Sequence, residues 1–308
     1  MALRAFVHRG CPATIGFLGA TTPSAWSAFV AAFEQRLRAR HWINGGNITI
    51  DYRWANGRQD AYRELAKEFA DHGVDIIVTS GTAPVLAAQA AAPDIPIVFA
   101  SAGDAPGLRR GNVTGLANKQ AGLAGERLRR FRDAVPGLRT LAVIGNVNAP
   151  NVEAEMKSIA GLPADQKRDL QITQVPIRKA EDILPAIESV NTKDTKQGRA
   201  GLYVCTDPLV TAHAVRINTL AVSKGLPTMH AFREYVLAGG LMSYGPDFRM
   251  MFERAADLVD DFLRGTELDK LQIDQDFAPI HSVNVTTARA LGLDVSDKFL
   301  KPADEVIE

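Results

Sequence analysis

Small polar residues follow two apolar runs in the first half of the sequence, where a buried strand would lead into a helix. The two groups are Thr21, Thr22 and Ser24, and Ser80, Gly81 and Thr82. Hydroxyl groups beside a helix start, with its free backbone N–H groups and partial positive charge, suit a carboxylate or a phosphate. Glycine also allows a ligand to approach the backbone closely. The pattern predicts anion-binding segments, and ordinary turns and helix caps are the alternative.

Amide and carboxylate side chains occupy the equivalent positions in the second half. They are Asn146, Asn148, Asn151 and Asp207. An asparagine can both donate to and accept from a zwitterion, although asparagine is also a common loop residue. Asp207 precedes a proline, so helix capping explains it, but a carboxylate there could also accept from a ligand ammonium group. These residues are therefore candidates for ligand contact, with Asp207 as the acceptor for a ligand ammonium group.

Further candidates lie where later loops are expected to reach the same site. They are Asp104, Glu234, Tyr235, Tyr244 and Asp247. An aromatic ring such as that of Tyr235 could stack on an apolar ligand, although core packing explains an aromatic residue equally well. Asp104 follows a predicted strand and could either contact a ligand or cap a short loop.

Sequence signatures of common enzymes are absent. The chain contains no G-x-S-x-G elbow and no G-x-x-x-x-G-K-[ST] loop. Its first strand leads into GFLGATTP, which lacks the glycine spacing of a dinucleotide turn. The six histidines form no H-x-x-x-H pair, so we expect neither a metal nor another cofactor. The 35 basic and 35 acidic residues give a net charge of zero, which argues against nucleic acid as a partner.

The sequence predicts that alternating strands and helices position these candidates. Apolar runs, small polar loops and amphipathic segments alternate from Ala13 onward, which is typical of βα units on a parallel sheet. The apolar runs that begin near Ile15 and Ile76 correspond to runs near Leu141 and Leu202, about 126 residues later. The sequence thus predicts two similar α/β lobes. Most of the candidates follow predicted strands, and parallel sheets bind ligands at the carboxyl ends of their strands.

Several long segments resemble one known family in their order along the chain. They are GFLGATTPSAWSAF, HWINGGNITIDYRWANGR, VDIIVTSGTAPVLAAQAA, IPIVFASAGD, GNVTGL, LYVCTDPL and LPTMHAFREYVLAGGLMSYGPDF. From about Thr14 to Glu308 the sequence is similar to ABC-transporter substrate-binding proteins, whose better-known members bind aromatic amino acids. The resemblance implies a type I periplasmic-binding fold with two Rossmann-like lobes, parallel sheets, a three-crossing hinge and closure around a small solute. The sequence departs from the family after Asp104, where APGLRR replaces a longer glycine-rich helix.

The resemblance also implies a location, partners and a division of the chain. We expect a monomer, periplasmic or otherwise extracytoplasmic, that passes its ligand to a membrane permease. Residues 1–13 contain no apolar core of a signal peptide, so the location depends on the resemblance. The predicted first lobe comprises residues 1–116 and 246–276, and the second comprises residues 117–245 and 277–308.

The expected function is capture of a small organic solute, without a reaction. Our hypothesis is an amino acid or related carboxylate, with its acid group at the helix start of Ser80–Thr82 and its amine near Asp207. One alternative is a two-lobed α/β enzyme such as a sugar-nucleotide transferase, with Asp104 or Asp207 as its catalytic carboxylate. The other is a sensory or effector-binding domain. Repressors of that class carry a helix-turn-helix segment of about 60 residues ahead of the first strand.

Overall fold

The protein is described from a computed structural model, which describes residues 12–103, 108, 111–118, 120–192, 199–271, 273 and 277–308. The strands are β1 (Ala13–Gly19), β2 (Ile48–Trp54), β3 (Ile76–Thr79), β4 (Ile97–Ala102), β5 (Val113–Ala117), β6 (Leu138–Asn146), β7 (Gln171–Ile177), β8 (Arg199–Val204), β9 (Thr228–His230), β10 (Met242–Pro246), β11 (Pro279–Asn284) and β12 (Glu305–Ile307). The helices are α1 (Pro23–Ala39), α2 (Ala61–His72), α3 (Thr82–Ala91), α4 (Ala124–Ala134), α5 (Pro150–Ala160), α6 (Ile183–Ser189), α7 (Pro208–Ala212), α8 (Ala214–Ser223), α9 (Arg233–Leu237), α10 (Phe248–Leu263), α11 (Val285–Ala290) and α12 (Asp297–Leu300). Within the described residues, no helix combines the length and the apolar character needed to cross a membrane.

The chain divides into two compact units. The described residues of Met1–Lys119 and Phe248–Asp276 form the first unit, and those of Gln120–Asp247 and Phe277–Glu308 form the second. The chain therefore passes from one unit to the other three times. Each unit contains one sheet with helices packed on it.

The first unit contains a five-stranded sheet in the order β2-β1-β3-β4-β5, in which neighbouring strands are parallel. Helix α1 packs through Trp26, Phe29 and Phe33, whose spacing of three and four residues places them on one helix face. From α10, the ring of Phe252 lies 5.4 Å from that of Trp26 and 5.3 Å from that of Phe29. The core of this unit therefore includes a helix that comes from the later part of the chain.

The second unit contains a seven-stranded sheet in the order β12-β11-β10-β9-β8-β6-β7. Its neighbours are parallel except β10 and β11, which are antiparallel. The sequence predicted only parallel pairing. The exception arises because β11 follows a return of the chain from the first unit, so no helical crossover within one unit joins it to β10.

The carboxyl ends of parallel strands lie at one edge of each sheet, which gathers the residues that follow them. In the first unit, Thr21 follows β1 and Ser80 follows β3. In the second unit, Asn146 ends β6, Asp207 follows β8 and His230 ends β9. Both sheets thus place polar side chains at the edge where such folds bind ligands.

Candidate functional site

The segment after β3 is tied to the end of β4 by its own polar groups. The Ser80 hydroxyl and the Gly81 N–H both donate to the Ser101 carbonyl, at 3.0 Å and 2.6 Å. The Thr82 hydroxyl accepts from the Gly103 N–H at 3.0 Å. These bonds leave the Ser80 oxygen able to accept and the Thr82 hydroxyl able to donate. Ligand binding by Ser80–Thr82 stays a prediction.

The segment after β1 contains one capping residue and one buried hydroxyl with no partner. Thr22 caps α1, since its Oγ1 accepts from the Ala25 N–H at 3.2 Å. Ser24 is exposed, and its Oγ lies 3.1 Å from Thr22 Oγ1. Thr21 is fully buried, and its Oγ1 has no hydrogen-bond partner among the described residues. Of these three residues, Thr21 has the polar group that a ligand could satisfy.

The asparagines of the second unit mainly fix backbone segments. Asn146 is buried, and its Oδ1 accepts from the N–H of the exposed Asn148 at 3.1 Å. Asn151, in the first turn of α5, donates from Nδ2 to the Thr206 carbonyl at 2.7 Å. The loop after β6 is therefore connected to the loop after β8 by a side chain.

Asp207 is buried, and only one of its carboxylate oxygens has a hydrogen-bond partner among the described residues. Its Oδ1 accepts from the Val210 N–H at 2.7 Å and caps α7, whereas Oδ2 is buried without a hydrogen-bond partner in the described part of the chain. Burial raises the pKa of Asp207 to about 6. The Val210 and Leu209 amides and the Asn146 side chain lower this pKa, but their effect is smaller than that of burial. An unpaired buried carboxylate oxygen is costly, and a ligand donor would satisfy it.

Tyr235 and Glu234 lie in α9, at the same end of the sheet as Asp207. The Thr211 hydroxyl donates to the Asp207 carbonyl at 2.7 Å and lies 2.6 Å from the Tyr235 hydroxyl. Oε2 of the half-buried Glu234 is itself buried and has no hydrogen-bond partner among the described residues. Burial raises the pKa of Glu234 to about 7; Asp247 adds to this rise and Arg233 opposes it. The second unit thus presents two carboxylates with unmatched oxygens.

The remaining candidates differ in their surroundings. The ring of Tyr244 is packed by the Arg130 guanidinium at 4.3 Å from its centroid, and by His281 at 6.4 Å. These contacts favour the packing explanation for Tyr244. Asp247 is half-buried immediately after β10. Asp104 lies outside the described residues.

Three further residues with unmatched polar atoms join this edge of the second sheet, and none was a candidate from the sequence. Thr206 Oγ1, Ser243 Oγ and both ring nitrogens of His230 are buried without hydrogen-bond partners in the described residues. His230 and Ser243 pair in register on β9 and β10. The His230 ring stacks on Tyr235 at 5.1 Å, and burial lowers its pKa to about 3, which keeps it neutral. For Thr206 and His230 the available sequence signal was a position at or just after a strand end, whereas Ser243 lies near the start of β10.

No group of three His, Cys, Asp or Glu side chains in the described residues could hold a metal ion. The arrangement consists of acceptors, hydroxyls and two acidic groups that follow or end β8 and β9, beside the start of β10. Chemically it suits a donor-rich, positively charged group.

Residues 22–307 match the family model of the ABC transporter substrate binding proteins. The chain belongs to this family. Substrate-binding proteins of ABC transporters bind small molecules for a membrane permease and are not enzymes. The prediction of a substrate-binding protein rather than an enzyme is therefore confirmed. The predicted α/β fold is confirmed as well, by the solved structures to which this chain is similar.

Individual relatives of this substrate-binding protein are distant in sequence. A tyrosine-binding protein of Clostridioides difficile is 23% identical over 249 residues, which cover 78% of this chain and 70% of that protein. A conserved domain protein from Vibrio cholerae has a TM-score of 0.85 at 22% identity, covering 96% of this chain and 99% of that one. The ABC domain in complex with L-Trp from Streptococcus pneumonia has a TM-score of 0.84 at 18% identity, and the match covers 96% of this chain and 100% of that one.

Proposed function

We propose that this substrate-binding protein acts outside the cytoplasm and captures an amino acid for an ABC permease. An aromatic amino acid is the first candidate, because one relative is a tyrosine-binding protein and another was solved with L-Trp. We also propose that it acts as a monomer, which analytical ultracentrifugation tests.

The observation that carries the amino-acid proposal is the unmatched carboxylate oxygen of Asp207. Oδ1 is occupied by the cap of α7, so Oδ2 remains for an external donor. An ammonium group supplies three donors and a positive charge, and it would compensate both the burial and the missing hydrogen bond. The nearby unmatched Thr206 hydroxyl and Glu234 carboxylate strengthen the preference for a cation.

The acid group of the solute is assigned, in this proposal, to the start of α3. The first turn of a ten-residue helix has N–H groups without intrahelical partners and a partial positive charge, and Ser80 and Thr82 retain hydrogen-bonding capacity there. Replacing Thr82 by Val tests this assignment within the first unit.

The test begins with protein that has been unfolded and refolded once to remove co-purified ligand. Thermal shift and calorimetry are then measured with L-tyrosine, L-tryptophan, other amino acids, small carboxylates, sugars and purines. A ligand at about 1,000 times its dissociation constant stabilises the folded protein by about 4 kcal/mol. Binding confined to sugars or purines would refute the amino-acid proposal.

The role of Asp207 is tested by Asp207→Asn, which keeps a capping oxygen and removes the charge. We expect amino-acid binding to weaken by about 2 kcal/mol, as for the loss of a charged hydrogen-bond partner. The matched control is Asp182→Asn, since Asp182 also accepts from backbone N–H groups, at 2.8 Å from Arg178 and 3.2 Å from Lys179, but in an exposed turn. Equal affinities of Asp207→Asn and wild type, by calorimetry, would exclude the ammonium contact.

A further inference from the structure

A buried charged network lies on the α4 and α5 side of the second sheet. Arg127 of α4 is 0% exposed, and its Nη1 donates to Glu155 Oε1 at 2.7 Å and to the Tyr203 hydroxyl oxygen at 3.1 Å. The Tyr203 hydroxyl in turn donates to Glu155 Oε1 at 2.7 Å. Three side chains from α4, α5 and β8 therefore form one closed set of hydrogen bonds.

This network connects directly to the segment that bears Asp207. Tyr203 lies in β8, four residues before Asp207. Glu155 and Asn151 are one turn apart on α5 and face the same way, and Asn151 donates to the Thr206 carbonyl at 2.7 Å. Helix α5 thus holds the end of β8 at two points, and Arg127 fixes one of them.

The same guanidinium also holds β10. Its Nε donates to the Tyr244 carbonyl at 2.7 Å, and Tyr244 follows Ser243, whose buried hydroxyl is unmatched among the described residues. Residues 127 and 244 are far apart in sequence, so this bond brings α4 and β10 together. Of the two strands held by Arg127, β8 leads into Thr206 and Asp207, and β10 contains Ser243.

Stability alone is a poor explanation for this arrangement. Removing two charges from water costs several kcal/mol per ion, and apolar residues of similar volume often stabilise a core as well or better. We propose that Arg127 is a positioning residue for solute binding. Through Glu155 and Tyr203 it orients the β8 end that carries Thr206 and Asp207, and through the Tyr244 carbonyl it orients β10. The ligand-binding part of this inference rests on the proposed function.

Cys205 provides a reporter within the segment itself. It lies between Tyr203 and Asp207, it is fully buried, and burial raises the pKa of its thiol well above the ordinary range. A thiol reagent therefore reacts with it only when the segment opens. The 308-residue chain has two cysteines, so Cys11→Ser leaves Cys205 as its single thiol.

The experiment compares Arg127→Met with Arg129→Met in the Cys11→Ser protein. Arg129 is a matched control, because it lies on the same helix with a 56% exposed side chain paired to Glu126 and Asp133. We measure the rate of Cys205 labelling and, by calorimetry, the affinity for L-tyrosine and L-tryptophan. Arg127→Met should raise the labelling rate and lower the affinity by about tenfold each. Arg129→Met should change either value by less than about twofold.

A double variant separates positioning from mere stability. Arg127→Met with Glu155→Met leaves no lone buried charge, so the fold regains stability, but the positioning contacts remain absent. We expect its affinity to stay about tenfold low. Recovery of wild-type affinity and labelling in this variant would overturn the proposal. Should Arg127→Met fail to fold, Tyr203→Phe replaces it, and unchanged labelling and affinity there would likewise overturn it.

The two proposals fail in different ways. If the wild-type protein binds no amino acid in the screen, the proposed function is refuted, and the labelling rates alone then test the inference. Unchanged Cys205 labelling in Arg127→Met would show that Arg127 does not hold the segment. Faster labelling would support the positioning role independently of the ligand.

Discussion

At the scale of the residue, Asp207 combines a structural contact with an unsatisfied one. Its Oδ1 caps α7, while its buried Oδ2 has no partner in the described residues. The cap explains why a carboxylate at this position is compatible with the fold. The cap does not explain a charge at this position, because an asparagine would serve as well. The charge therefore costs stability in the ligand-free protein, which is common at functional sites.

The raised pKa of Asp207 predicts how this cost depends on pH. The folded-state value is about 6 against an ordinary value of 3.8, so the folded state binds more protons than the unfolded state between these two values. The free energy of unfolding therefore falls as the pH rises through that window. Asp207→Asn removes the effect, so the ligand-free variant should gain up to about 3 kcal/mol over wild type above pH 6 and little near pH 4.

Urea unfolding of the ligand-free proteins at about pH 4, 5 and 7.5 measures this difference. A stability difference that stays constant over this range would contradict the assignment of the titrating group to Asp207. The pKa of Glu234 is raised to about 7. The Glu234→Gln variant should therefore also gain stability over wild type as the pH rises, over a pH window that extends to about 7.

At the scale of the element, the turn between β3 and α3 depends on one glycine. Gly81 has φ 104° and ψ 141°, a conformation that is nearly restricted to glycine. Its N–H donates to the Ser101 carbonyl, which joins the turn to β4. The backbone conformation therefore sets the direction in which α3 begins and presents Ser80 and Thr82.

Gly81→Ala should accordingly destabilise the first unit by about 1–3 kcal/mol. Gly73→Ala is the comparison, because Gly73 ends α2 in the left-handed helical region, with φ 66° and ψ 41°, and an added Cβ there meets no atom within 4 Å. Its cost should be smaller, about 1 kcal/mol. Urea unfolding followed by tryptophan fluorescence compares the two, and an equal or smaller loss for Gly81→Ala would contradict the strain argument.

At the scale of the whole molecule, the first unit is completed by a helix that the chain supplies after passing through the second. Phe252 of α10 packs against Trp26, Phe29 and Phe17, with ring centroids 5.3–6.5 Å apart. The first unit therefore cannot form its full core from the first 119 residues alone. The α10 helix is a structural requirement of the first unit as well as part of the connection.

Phe252→Ala should destabilise the first unit by about 3–5 kcal/mol, as expected for a large buried ring. Met250→Ala on the same helix is the control, since Met250 is 42% exposed and should cost less than about 1 kcal/mol. The three tryptophans, at positions 26, 42 and 54, all belong to the first unit, so their fluorescence reports its unfolding. A Phe252→Ala loss no larger than that of Met250→Ala would contradict this account of the core.

The amino-acid sequence by itself determined the alternating α/β architecture and the edges at which polar groups gather. These features follow from local patterns, since apolar runs of strand length and amphipathic segments of helix length alternate along the chain. These patterns predict Thr21 and Asp207 as candidate site residues. The same local patterns could not separate capping from ligand binding, because both functions use the same residue types at helix starts.

Only the tertiary structure decided which of these groups are satisfied within the protein. Thr22 and Thr82 have backbone partners, whereas Thr21 Oγ1 and Asp207 Oδ2 have none among the described residues. The Arg127 network was likewise invisible in the sequence, because a charged residue on an amphipathic helix normally predicts a solvent-exposed face. Its partners Glu155, Tyr203 and Tyr244 lie 28 to 117 residues away. Burial and hydrogen-bond satisfaction depend on such distant neighbours, and only the folded chain brings them together.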